Sequence, residues 1–144
     1  MSVDKGRTWS LTASFNAADT DYNKFAFLRL ETGRVFLYAG SYSVSGTSWN
    51  TIQYTYTDDN GNTWADLASV TGTDAVDAYT PGSGNGIYDS DNDQYIITFY
   101  DGDNGNNCYV ASTTDGIDFT IENSVSGIGP ATPGNSSELR IPAG

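Results

Sequence analysis

The residues that could do chemistry in this chain are carboxylates, hydroxyls and aromatic rings. The 144 residues hold 18 Asp and Glu against six Lys and Arg, ten Tyr, three Trp, one Cys and no His. With no His, neither a Ser/His/Asp triad nor a His-ligated zinc can be assembled. Cys108 alone gives no intrachain disulfide and reads as a small apolar residue in a strand. Oxygen ligands remain. Asp89, Asp91 and Asp93 alternate as carboxylates do in calcium loops, and Asp101 and Asp103 form a second pair beside glycines, but neither run has the glycine and distal Glu of an EF-hand loop. The reading is a solvated acidic turn, with Ca²⁺ as the lesser alternative and no cofactor expected.

The elements that must position such groups are short strands. Clusters of Gly, Asn, Asp, Ser and Thr punctuate short apolar or aromatic runs along the whole length, and no stretch has a sustained 3.6-residue period. The formal net charge of −12 would repel a phosphate backbone, so nucleic acid is not an expected partner. No run of 18 apolar residues is present and no signal-peptide core is legible, so no membrane span is expected. An acidic, Lys-poor surface suits an extracellular or virion protein.

Internal repetition decides the fold. SVDKGRTW at 2–9, TDDNGNTW at 57–64 and STTDGIDF at 112–119 start at Ser2, Thr57 and Ser112, each 55 residues after the last. The first copy carries Ser2, Asp4, Gly6, Thr8 and Trp9, and the second Thr57, Asp59, Gly61, Thr63 and Trp64. The third keeps Ser112 and Gly116, with Thr114 in the place of Asp, Asp118 in that of Thr and Phe119 in that of Trp. These types make sense as a hairpin turn. A short Asp side chain accepts backbone N–H bonds across the turn, Gly takes the positive φ, and the aromatic anchors the turn in the sheet.

The pattern resembles the Asp-box, or BNR repeat, of sialidases and related β-propellers. The resemblance implies an all-β fold of antiparallel four-stranded blades, here an incomplete propeller, with the boxes as scaffold on the face opposite any ligand. Strands expected around the boxes are Ser10 to Phe15, 25–30, 34–40, 51–57, Ala65 to Val70, Gly86 to Tyr88, 94–100, 107–112, Phe119 to Asn123 and Ser137 to Ile141. The chain then divides into the end of one blade (1–24), two complete blades (25–70 and 71–123) and the start of another (124–144). Such a segment is too short to close a ring, so further blades from the same or another chain are the expected partners, and an oligomer or larger assembly the expected state.

Sialidases hold the substrate carboxylate with three Arg and use a Tyr/Glu nucleophile pair and an Asp acid/base. This chain has Arg7 inside a box, Arg29 and Arg34 flanking a hairpin turn, and Arg140 in LRIPAG, which aligns with the first strand LRLETG at 28–33. Glu31, Glu122 and Glu138 offer no evident Tyr partner. No catalytic residue is assigned and the chain is not expected to be an enzyme by itself. For ligands the resemblance implies the loop face, at 16–24, 41–50, 71–85, 101–106 and 124–136. Those segments carry Trp49, Tyr42, Tyr22, Tyr79, Asp101 and Asp103 among amides and hydroxyls, a composition suited to sugars. Trp49 is the strongest candidate, and each aromatic has packing beneath its own loop as the plain alternative. The expectation is a binding or structural module, with glycan as ligand. The alternatives are a piece of a sialidase-like glycoside hydrolase and an architectural phage tail or filament subunit.

Overall fold

The computed structural model describes residues 7–8, 11, 14–15, 20–43, 49–72, 79–82, 84–101 and 107–125. Among them there is no helix. The strands are β1 (Thr20–Arg29), β2 (Val35–Ser43), β3 (Trp49–Thr57), β4 (Ala68–Ser69), β5 (Thr71–Gly72), β6 (Tyr79–Pro81), β7 (Gly84–Asn85), β8 (Ile87–Asp89), β9 (Gln94–Asp101), β10 (Asn107–Thr113) and β11 (Asp118–Val125). They form two sheets. The first runs β4-β3-β2-β1-β7, the second β5-β11-β10-β9-β6, with β8 also on β9.

Each sheet is an antiparallel meander with a two-residue parallel bridge borrowed from its neighbour. In the first sheet β1 to β4 pair in sequence, and β7 adds to β1 in parallel through Ala26 and Phe27. In the second, β5 adds to β11 in parallel through Asp118 and Phe119. The segment 79–89 serves β9 twice, as β6 and as β8, and steps aside between them to lay β7 on β1. Glycines permit the step. A Cβ on Gly82 would collide with the Thr98 hydroxyl and one on Gly86 with Leu28, and Gly86 N–H donates to Phe27 C=O at 2.6 Å.

The core lies between the sheets because strand alternation gives each a buried face. Ala26, Leu28, Phe36, Tyr38, Ile52 and Tyr54 of the first meet Tyr95, Ile97, Phe99, Ala111 and Phe119 of the second. Phe36 stacks on Tyr38 at 5.8 Å, while Phe119 stands edge-on to Tyr38 at 5.7 Å and to Phe99 at 5.0 Å. Aromatic pairs at these distances add about 0.5–1.5 kcal/mol each beyond area burial. That answers the scarcity of aliphatic residues.

Several expected strands differ in extent. β1 begins at Thr20, inside a segment read as loop, because a bulge between Asn23 and Phe25, with Lys24 at φ +56°, breaks the alternation that would have revealed it. Only Ala68–Ser69 of the expected 65–70 strand is paired as such. The expected strand at 137–141 lies outside the described residues, as do 10 and 12–13 of that at 10–15; the described residues 11, 14 and 15 are not in a strand.

Candidate functional site

The best-defined polar constructions are the two turns that close β3 and β10. In the first, Thr57 Oγ1 donates to Asp59 Oδ1 at 2.8 Å and accepts the Gly61 N–H at 2.8 Å. Asp59 in turn accepts the Thr63 N–H at 2.8 Å and the Thr63 hydroxyl at 2.7 Å. Gly61 has φ +88°. These bonds, led by those from Thr63, stabilise the carboxylate and hold its pKa at about 2. Beside the turn, Arg34 makes a two-pronged pair with Asp58 at 2.8 and 2.9 Å and lies 4.1 Å from the centre of the Tyr56 ring. Its guanidinium is engaged at the turn.

The second turn has the same wiring in a different register from the one expected. Thr113 Oγ1 donates to Asp115 Oδ1 at 3.1 Å and accepts the Gly116 N–H at 2.9 Å, and Asp115 Oδ1 accepts the N–H groups of Ile117 and Asp118 at 2.8 and 2.9 Å. The turn hydroxyl is therefore Thr113, not Ser112, and its carboxylate is Asp115, with nothing missing at Thr114. Gly116 and Phe119 keep the places assigned to them, so the loop from hydroxyl to aromatic is one residue shorter than in 57–64. The Ser112 hydroxyl instead donates to Glu122. Burial works to raise the Asp115 pKa, but the Asp118 and Ile117 amides and the Thr113 hydroxyl together bring it below the usual carboxylate value. Of the first repeat only Arg7 and Thr8 are described; Ser2, Asp4, Gly6 and Trp9 lie outside the described residues.

The alternating aspartates form a self-contained turn. Asp89 accepts the Asp91 N–H at 3.2 Å and the Asn92 amide at 2.8 Å, and Asp93, at φ +52°, accepts the Tyr88 hydroxyl at 2.7 Å. The bond to Asp93 pushes the Tyr88 phenol up to about 12. Among the described residues no three acidic, Cys or His groups converge as metal ligands, and Asp89, Asp91 and Asp93 do not fit a calcium site.

The candidate ligand residues fall at the opposite ends of the sheets. β2 and β3 are antiparallel and register Tyr42 against Trp49; β6 and β9 register Tyr79 against Asp101. All four are strand residues, as is Tyr22 in β1, which corrects the reading of Tyr22, Tyr42, Trp49, Tyr79 and Asp101 as parts of loops. Asp103 lies outside the described residues. Tyr22, opposite Ser41 in β1, donates its hydroxyl to Gln53 Oε1 at 2.7 Å, and burial pushes its phenol pKa up. It lines a recess of about 160 Å³ with Phe15, Phe25, Leu37, Ala39, Thr55 and Leu67. The structure thus pairs Tyr42 with Trp49 and Tyr79 with Asp101, and turns Tyr22 against the first sheet. Tyr38 is a residue the sequence reading passed over. Its hydroxyl donates to Gly116 C=O at 2.7 Å, and its place in the apolar run RVFLYAG was the available signal.

The chain matches no protein-family profile. Over 85 residues it is 32% identical to a sialidase of Clostridium perfringens, an alignment covering 49% of this chain and 22% of that protein. In three dimensions, 85% of the chain matches the Hadza microbial sialidase Hz136 with a TM-score of 0.65 at 21% identity. The chain has a partial sialidase-type fold. It spans 30% of the matched sialidase structure. In this sialidase-type frame the 57–64 and 113–119 turns lie at one end of the sheets, and the Tyr42/Trp49 and Tyr79/Asp101 pairs at the other.

Proposed function

We propose that the chain is a non-catalytic sialidase-type propeller module that recognises glycan, in an extracellular or virion assembly, through the sheet ends remote from its two Asp-box turns. The observation that supports this reading is the strand register, which sets Tyr42 opposite Trp49 in the first sheet and Tyr79 opposite Asp101 in the second, at the ends away from the turns. Aromatic and carboxylate residues are of the types that suit a pyranose, which calls for C–H stacking surfaces and acceptors for hydroxyls. Two of the four arginines, Arg29 and Arg34, support a binding rather than a hydrolytic role. Arg29 closes β1 at the turn end, and Arg34 is engaged with Asp58 and Tyr56 there.

A second reading has a specific observation behind it. The chain spans only 22% of the Clostridium perfringens sialidase and 30% of the matched structure, so it also suits a portion of a glycoside hydrolase whose catalytic groups lie elsewhere. A glycan array probed with the full chain and with Trp49→Ala tests the first reading: binding lost in the variant is expected, and a blank array with the parent chain overturns it. Hydrolysis of a fluorogenic sialoside by the chain alone would overturn the non-catalytic part.

A further inference from the structure

We propose that Asn60, in the 57–64 turn, is a site of spontaneous covalent modification, its side-chain amide giving way to aspartate and isoaspartate through attack by the Gly61 backbone nitrogen. The chemistry favours an Asn followed by a residue without a Cβ, because the nitrogen must reach the side-chain carbon uncrowded. In the first step the Gly61 nitrogen gives up its proton and bonds to Asn60 Cγ. The Cγ–Nδ2 bond breaks, and the side-chain nitrogen leaves with that proton as ammonia. A cyclic imide remains. In the second step water adds to either imide carbonyl. Opening at Cγ leaves aspartate, and opening at the main-chain carbon leaves isoaspartate, whose backbone is one carbon longer. No oxidant or reductant takes part, and water is the only co-reactant.

Among the described residues two bonds have this composition, Asn60–Gly61 and Asn85–Gly86; a third, Asn104–Gly105, lies outside them. Both described asparagines are exposed, and the structure separates them by what holds the glycine. Asn85 stands in β7, the two-residue bridge on β1, where the Gly86 N–H donates to Phe27 C=O at 2.6 Å and Leu28 closes on the glycine. Forming the imide there means stripping β7 from the first sheet, so that bond is protected while the sheets stay together. The Gly61 N–H donates instead to a single side-chain hydroxyl, Thr57 Oγ1, at 2.8 Å. Rotation of one side chain frees it. The 113–119 turn escapes for another reason. There the residue before the glycine is Asp115, whose carboxylate accepts the Ile117 and Asp118 N–H groups, and an ionised carboxylate is a poor target for a nucleophile.

The exposure of Asn60 does not depend on what lies beside the first sheet. Asp115 holds the equivalent place in the turn whose neighbouring sheet is present, and it is exposed although Gly116 next to it is buried against Phe36. The rate then depends on Thr57. Its hydroxyl holds the N–H that must lose its proton, and the Asp59 carboxylate, bonded to the same hydroxyl at 2.8 Å, sets a negative charge beside a nitrogen that must itself become negative. Thr57 is thus a positioning residue that slows the reaction. The isoaspartate product loosens the turn. An added backbone carbon between Thr57 and Thr63 draws the Gly61 N–H away from Thr57 and the Thr63 N–H away from Asp59. A further negative charge also joins Asp58 and Asp59, in a chain whose net charge is already −12.

The test is peptide mapping by mass spectrometry after the full chain has stood, folded or in urea, in mildly alkaline heavy-oxygen water, with fragmentation that tells isoaspartate from aspartate. In the folded chain heavy oxygen should enter at Asn60 well before Asn85. In urea the two sites should convert at similar rates, since only the fold sets them apart. Thr57→Val should raise the Asn60 rate several-fold and leave Asn85 unchanged, whereas general loosening of the fold would raise both. Far-UV circular dichroism reports whether that variant is folded; if it is not, the comparison of folded and urea-treated parent chain decides alone. The isoaspartate form, isolated by anion exchange, should have a lower urea midpoint than Asn60→Asp, which carries the same charge on an unlengthened backbone. Asn60 intact in the folded chain when the urea-treated chain has converted overturns the inference, as does equal conversion of Asn60 and Asn85 in the folded chain. An unchanged Asn60 rate in folded Thr57→Val overturns the role given to Thr57, and equal midpoints overturn the loosening.

Discussion

The turns at 57–64 and 113–119 share a Thr–Asp–Gly core of hydrogen bonds and live in different surroundings. Both hold a carboxylate with a Thr hydroxyl and backbone N–H donors, Thr63 for Asp59 and Ile117 with Asp118 for Asp115, and both place a glycine at positive φ, Gly61 at +88° and Gly116 at +80°. Their aromatic anchors diverge. Phe119 is 1% exposed, enclosed by Tyr38 and Phe99, whereas Trp64 is half-buried with Phe15 edge-on to it. The hydrogen-bond pattern of such a turn is local, while the stabilisation from its aromatic depends on what lies against the sheet. A turn of this kind is a fixture whose worth is set by its neighbour.

The aromatic anchors give the largest expected effects. Phe119→Ala should destabilise the fold by about 3–5 kcal/mol in urea unfolding, and Trp64→Ala by about 1–2 kcal/mol, because only the former opens an enclosed cavity. Equal losses would break the comparison. The glycines sharpen it. A Cβ on Gly116 would lie 2.6–2.9 Å from the Phe36 ring, while one on Gly61 has 3.8 Å to Trp64. Gly116→Ala should therefore cost about 3 kcal/mol through overpacking added to backbone strain, and Gly61→Ala about 1–2 kcal/mol from strain alone.

Acid should weaken both turns. A carboxylate whose folded pKa lies below its unfolded value stabilises the fold fully above the unfolded value, and loses that contribution as pH falls through the folded one. Asp59, with an ordinary value of 3.8 and a folded value of about 2, sets the window, and the pKa values of Asp115 and Asp58 are lowered in the same direction. Unfolding midpoints should stay level from neutrality to about pH 4 and fall toward pH 2. Asp59→Asn and Asp115→Asn should each flatten that fall; a decline near pH 6 would point to another cause. The smallest effect belongs to Arg34→Ala. An exposed pair with Asp58 is worth little, so its urea midpoint should move slightly and the shift should shrink further in salt.

What the sequence disclosed follows from the same division between local and neighbouring. The 57–64 turn was legible because Thr57, Asp59, Gly61 and Thr63 satisfy one another within eight residues. The 113–119 turn was legible in kind but misread by one residue, since a constant spacing puts Ser112 where Thr113 does the work. β2 and β3 were located by the apolar runs VFLYA and TIQYTY. Their far ends, where Tyr42 and Trp49 pair, are rich in Ser, Thr and Asn and carry no alternation to read. The division of the inner strand into β6, β7 and β8 was hidden too, because it arises from the close approach of Gly82 to Thr98 in β9 and of Gly86 to Phe27 and Leu28 in the first sheet.

The two sheets also exchange tyrosine hydroxyls. Tyr38 of the first donates to Gly116 C=O in the turn of the second, and Tyr95 of the second accepts the Glu31 N–H in the turn of the first, at 2.8 Å. Because each anchor ends on the other sheet's backbone, neither sheet can open without releasing the Glu31 amide or the buried Gly116 carbonyl. In hydrogen-exchange terms, the slow amides of β2 and β9 should report a single opening event, so that the pair of sheets, rather than either alone, is the unit that unfolds.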